Sequence, residues 1–66
     1  MSHREELLTE RRKLIARRRD LMWELEEVAP IYNGLRLGNS RSAEIQKELI
    51  QIQYKLIANS AYLQHA

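Results

Sequence analysis

Arg4, Arg11 and Arg18 recur every seventh residue inside an apolar stripe. Read as one helix, residues 4–29 place Leu7, Leu14, Leu21 and Val28 in one column. Leu8, Ile15, Met22 and Ala29 form a second column, and the arginines, followed by Leu25, run between the two. A guanidinium set among aliphatic side chains is costly unless an acceptor meets it. Its planar fork of donors suits phosphate and carboxylate oxygens, and its face stacks on rings. The chemistry implied by this spacing is capture of an anion.

Beyond Glu48 the chain supplies no acid to answer Arg4 and Arg11. From Leu49 to Ala66 the single formal charge is Lys55. The groups on offer there are amides and hydroxyls, namely Gln53, Tyr54, Asn59, Ser60, Tyr62 and Gln64. We expect a ligand site made of Arg4, Arg11 and Arg18 with Asn59 and Tyr62. It would take a nucleotide- or phosphate-like anion, or a partner's acidic surface. The plainer alternative is that the arginine stems lie on apolar surface while their heads reach water. An Arg11–Asn59 layer would then only fix helix register, and Arg18 would reach Glu48.

Two other features invite a partner. Arg12, Arg17 and Arg19 form a basic flank that could follow a nucleic-acid backbone, although acids punctuate the same helix and nucleic-acid binders usually show a clean basic stripe. Trp23 lies roughly opposite the seam. It is either an anchor for a protein partner or a residue covered by Leu35 or Leu37 of the connector.

The elements that must position these groups are two helices. Ser2 and Glu5 have capping-box spacing, so the first helix starts at about residue 3. Pro30 cannot continue a helix and biases Ala29 away from helical geometry, which ends the helix at about 29. Residues 30–40 form a connector with an Asn33-Gly34 turn signal. Its Ile31, Tyr32, Leu35 and Leu37 are apolar enough to fold back over the end of the helices. Asn39, Ser40 or Ser42 caps a second helix over about 41–63. The seam of that helix is Ile45, Leu49, Ile52, Leu56, Asn59 and Leu63, at the 4-3-4-3-4 spacing of a coiled coil. A second stripe holds Ala43, Ile50 and Ile57, beyond a polar column of Gln46, Gln53 and Ser60.

A short connector makes the helices antiparallel, and aligning the leucine layers sets residue n opposite 70 − n. Each helix then retains an apolar column that one neighbour cannot cover. The expected fold class is all-α: a single-domain antiparallel helical hairpin, residues 1–66, that assembles into a four-helix bundle, most simply a dimer, or a higher helical oligomer.

Composition narrows the functional classes. Sixty-six residues bury a small core and usually need a staple. The chain lacks cysteine, and its two histidines, His3 and His65, make a poor zinc site. The remaining staple is self-association. With 11 basic and 9 acidic residues the net charge is +2. No metal, cofactor or membrane role is expected, and the expected location is the cytoplasm. Small helical-bundle mutases that hold dicarboxylates with core arginines are superficially similar. No nucleophile paired with a base, and no acid–base pair, accompanies the arginines here, so the expectation is a non-enzymatic protein. In size and layout the chain resembles two kinds of accessory protein. One is the plasmid RNA-binding hairpin that dimerises into a four-helix bundle. The other is the phage-encoded helical oligomer that sequesters signalling nucleotides or inhibits a host factor. This resemblance is one of general organisation and assigns no role to any residue.

Overall fold

The computed structural model describes residues 2–36 and 38–65. Two long helices, α1 (His3–Val28) and α2 (Ser40–His65), pack against each other, joined by two short strands, β1 (Ile31–Tyr32) and β2 (Leu35–Arg36). The molecule is a rod with extents of 47 × 19 × 17 Å. Among the described residues, no helix is long and apolar enough to cross a membrane.

Local chemistry explains where α1 begins and ends. The Glu5 N–H donates to Ser2 Oγ at 3.2 Å, satisfying one orphan donor of the first turn. At the far end the Ala29 N–H donates to the Leu25 carbonyl, and Ala29 leaves helical geometry just before Pro30.

The connector differs from the expected apolar flap. Asn33 and Gly34 both have positive φ, 53° and 80°, as a two-residue hairpin turn of type I′ requires. They join β1 to β2 as an antiparallel pair, with Ile31 opposite Arg36 and Tyr32 opposite Leu35. The turn holds the apolar residues out instead of folding them over the helices. Leu35 is 71 % exposed, and Ile31 and Tyr32 are also exposed. Leu37 lies outside the described residues.

Side chains of the connector close the end of α1. Arg36 donates to the carbonyls of Ala29 (2.7 Å) and Leu25 (3.3 Å) and pairs with Glu26 at 2.7 Å. A cation at a helix C-terminus meets both orphan acceptors and a favourable dipole. Asn39 donates to the Val28 carbonyl at 2.8 Å. The same side chain accepts from the Ser42 N–H at 2.8 Å, while Ser42 Oγ accepts from the Asn39 N–H. Asn39 is therefore the cap of α2, in a reciprocal box with Ser42, and it ties the two helix ends together.

The core is one line of aliphatic layers. Leu21, Ile45, Ile52 and Leu56 are buried together, with Leu14, Leu25, Val28 and Leu49 packed against them. The register is about one turn away from the expected alignment. Asn59 meets the Leu7 carbonyl, Arg17 meets Glu48 and Arg41 meets Glu24. These pairs fit residue n opposite roughly 66 − n, which sets Leu21 against Ile45 and Leu14 against Ile52. A slide of one turn leaves aliphatic layers matched, so the polar pairs decide between the two alignments.

Candidate functional site

The two long flanks of the rod differ in their electrostatics. On one flank the arginines are met by carboxylates. Arg17 makes a two-pronged pair with Glu48, at 3.1 and 3.2 Å. Arg41 pairs with Glu24 and, at 3.3 Å, with Glu44. Hydrogen bonding to Glu48 raises the Arg17 pKa, and the bond from Arg41 lowers that of Glu24. Both pairs are exposed and contribute little stability. Their position corrects one expectation: Arg17, not Arg18, reaches Glu48. Position 48 lies level with both arginines and on the flank of α2 that faces Arg17.

The other flank carries Arg11 and Arg18, both half-buried. Arg11 donates to Ser60 Oγ at 2.8 Å. The expected Arg11–Asn59 layer is absent: Asn59 lies level with Leu7, and the long Arg11 side chain reaches more than a turn along α2 from its own level to meet Ser60. The two arginines line one groove of about 450 Å³ together with Gln53, Ser60 and Gln64, over the aliphatic side chains of Leu56 and Ile57. Every polar side chain of this lining is a cation, an amide or a hydroxyl, and no acid is among them. The arrangement offers a set of donors to an anion above a few aliphatic side chains. Ile15 and Met22 of α1, and Ile50 and Ile57 of α2, are exposed on the same side.

The remaining expected site residues do not join this groove. Asn59 is 2 % exposed and donates from Nδ2 to the Leu7 carbonyl at 2.8 Å. Asn59 and Tyr62 line a smaller hollow of about 210 Å³ with His3, Glu10 and Lys55, where both signs of charge are present. Arg4 is exposed near the start of α1. The five residues expected as one ligand site are thus divided, with Arg11 and Arg18 on one flank and Asn59 and Tyr62 in a different hollow. Ser60, Gln53 and Gln64 take the places beside the arginines. For Gln53 and Ser60 the signal in the sequence is the polar column beside the seam of α2, and Gln64 follows Ser60 by one turn.

Of the basic flank expected for nucleic acid, Arg17 is held by Glu48 and Arg19 pairs with its neighbour Asp20 at 3.3 Å, while Arg12 is exposed. Trp23 is 68 % exposed, and Leu35 does not cover it. Trp23 borders a shallow apolar surface with Ile15, Met22, Arg18 and Arg19, so Arg18 stands between this surface and the arginine groove. Among the described residues, no group of three or more His, Cys, Asp or Glu side chains could hold a metal ion. No protein-family model, curated protein or solved structure matches the chain.

Proposed function

We propose that the protein is a non-enzymatic binding protein that captures a phosphate-like anion with Arg11 and Arg18, on a face where copies of the chain assemble. The observation that carries this reading is the contrast between flanks. Arg17 and Arg41 are answered by Glu48, Glu24 and Glu44, whereas the groove of Arg11 and Arg18 is lined without an acid. A half-buried guanidinium needs a counter-charge or strong acceptors, and a ligand's oxyanion supplies both.

The surface area supports assembly. A compact chain of 7.9 kDa is expected to expose about 4,400 Å². This chain exposes 5246 Å². The excess of roughly 800 Å² matches what one partner contributes to a standard protein interface. Ile15, Met22, Ile50 and Ile57 give that excess an apolar character, and they occur at heptad spacing on both helices. A second copy of the hairpin presents the same pattern in return, and two hairpins packed on this face make a four-helix bundle.

The test is native mass spectrometry of freshly purified protein, compared with the same sample denatured. The expected result is an oligomer carrying a small anionic mass that is released on denaturation, and that is lost in Arg11→Ala without loss of helical signal. An oligomer free of adduct that also binds no added inorganic phosphate rejects anion capture and leaves the arginines as register-setting groups.

A further inference from the structure

Arg11 and Arg18 lie seven residues apart, about 10.5 Å along α1. Their midpoint is about one residue from the middle of His3–Val28. This centring matters for any two-fold dimer built on the arginine flank, because such an interface repeats the same patch on both copies. With the axis along the bundle, each Arg11 lies level with the Arg11 of the second copy. With the axis across the bundle, α1 runs antiparallel to its twin, and Arg11 falls near the level of the second copy's Arg18. Either symmetry gathers four guanidinium groups in the middle of a bundle whose neighbouring helices are about 8–10 Å apart.

Four cations enclosed in this way repel one another and lose water. The groove answers them with the neutral side chains Gln53, Ser60 and Gln64. Of the chain's nine acids, Glu48 pairs with Arg17, Glu24 and Glu44 with Arg41, and Glu26 with Arg36, and no acid lines the groove itself. We infer that two copies close around one shared phosphoryl anion, so that dimerisation and anion binding are a single linked equilibrium. The inference rests on the anion-capture reading above and adds to it the ligand class and its coupling to assembly. Two linked phosphoryl groups reach across more of the two-turn gap between Arg11 and Arg18 than one phosphate does. A diphosphate also supplies more than one negative charge. The half-groove of each copy, about 450 Å³, is large enough to contribute to such a site. An anion bound only by the dimer drives association by mass action.

The experiment uses the full chain, refolded from denaturant to strip any bound anion. Sedimentation is measured across protein concentration, in chloride and in inorganic pyrophosphate at equal ionic strength, with calorimetry in parallel. Pyrophosphate should lower the midpoint concentration for dimerisation at least tenfold, with one pyrophosphate bound per two chains. The double variant Arg11→Met, Arg18→Met replaces the charges with apolar side chains of similar length. It should dimerise tightly in chloride and ignore pyrophosphate. Calorimetric binding with no change in the dimerisation midpoint overturns the linkage and leaves anion capture standing. Absence of binding to the wild-type chain overturns both. A double variant that remains folded and monomeric removes this flank as the interface and overturns the inference.

Discussion

The Asn59 amide donates to the Leu7 backbone carbonyl at 2.8 Å, next to the aliphatic stretch of the helix seam from Ile45 to Leu56. Asn59 is almost fully buried, and its Oδ1 has no hydrogen-bond partner among the described residues. The side chain is therefore half satisfied: one polar bond crosses between the helices, and one buried acceptor is left unpaired. An unpaired buried acceptor costs about 1–3 kcal/mol. What Asn59 supplies in return is specificity, because sliding α2 by one turn breaks its bond while leaving the aliphatic layers matched. A single polar residue in an apolar seam fixes register in the same way elsewhere.

Asn59→Leu should accordingly raise stability by roughly 1 kcal/mol or more, since it removes the unpaired acceptor and adds apolar contact. The same change should bring the two registers closer in energy. Urea unfolding measures the first effect, and doubling of backbone amide resonances reports the second. A lower urea midpoint for Asn59→Leu would mean that the bond to Leu7 outweighs the unpaired oxygen.

The limits of sequence reading follow from the same residues. Three of the four helix ends were legible because Ser2, Pro30 and Asn39 act through local backbone chemistry. The apolar columns that stay exposed on both helices were legible because heptad spacing marks them. Register was not, since alignments at 70 − n and 66 − n both stack aliphatic layers, and only pairs such as Arg17–Glu48 and Arg41–Glu24 separate them. That slide left Asn59 level with Leu7 instead of Arg11 and split the expected site, while the Arg11 side chain reaches along α2 to Ser60. The β-hairpin was missed for a different reason. Asn33-Gly34 between Ile31-Tyr32 and Leu35-Arg36 is a hairpin signal, but strands of two residues leave no alternation to read.

Asn39 joins the two helix ends, and its two functions can be separated. Asn39→Ala removes the bond to the Val28 carbonyl and the cap on the Ser42 N–H. The expected loss is about 2 kcal/mol, combining a cap with one further hydrogen bond. Asn39→Asp keeps the capping oxygen and loses only the donor to Val28, so its midpoint in thermal or urea unfolding should fall between wild type and alanine. Equal losses for the two variants would show that the cap contributes nothing.

The pair of Glu24 with Arg41 gives the hairpin a defined acid response. The hydrogen bond from Arg41 holds the Glu24 carboxyl below the usual carboxylate range. A carboxyl whose pKa is depressed on folding stabilises the fold fully above its unfolded value. That contribution disappears as pH falls through the lower, folded value. Wild type should therefore exceed Glu24→Gln in urea midpoint at pH 7, and the difference should shrink toward zero as the solution is acidified below the carboxylate range. A difference that persists in strong acid would place its origin in packing instead of charge.

Neighbouring arginines on opposite flanks provide the sharpest comparison. Arg17 is bound to Glu48 on an exposed surface, and removing it should leave the urea midpoint nearly unchanged. Arg17→Ala should leave pyrophosphate binding unchanged, and so should Arg12→Ala and Arg19→Ala, since none of the three lines the groove. Arg18→Ala should lower pyrophosphate affinity at least tenfold, because it removes one of the two guanidinium groups there. Isothermal titration at two salt concentrations distinguishes this from binding to a general basic surface. For a groove ligand, the loss on Arg18→Ala should persist at high salt, since enclosed charges are screened less than exposed ones. If the Arg12 and Arg19 variants weaken binding as much as Arg18→Ala, and salt abolishes binding in all of them, the anion is held by the outer face of α1 and the enclosed groove is not the site.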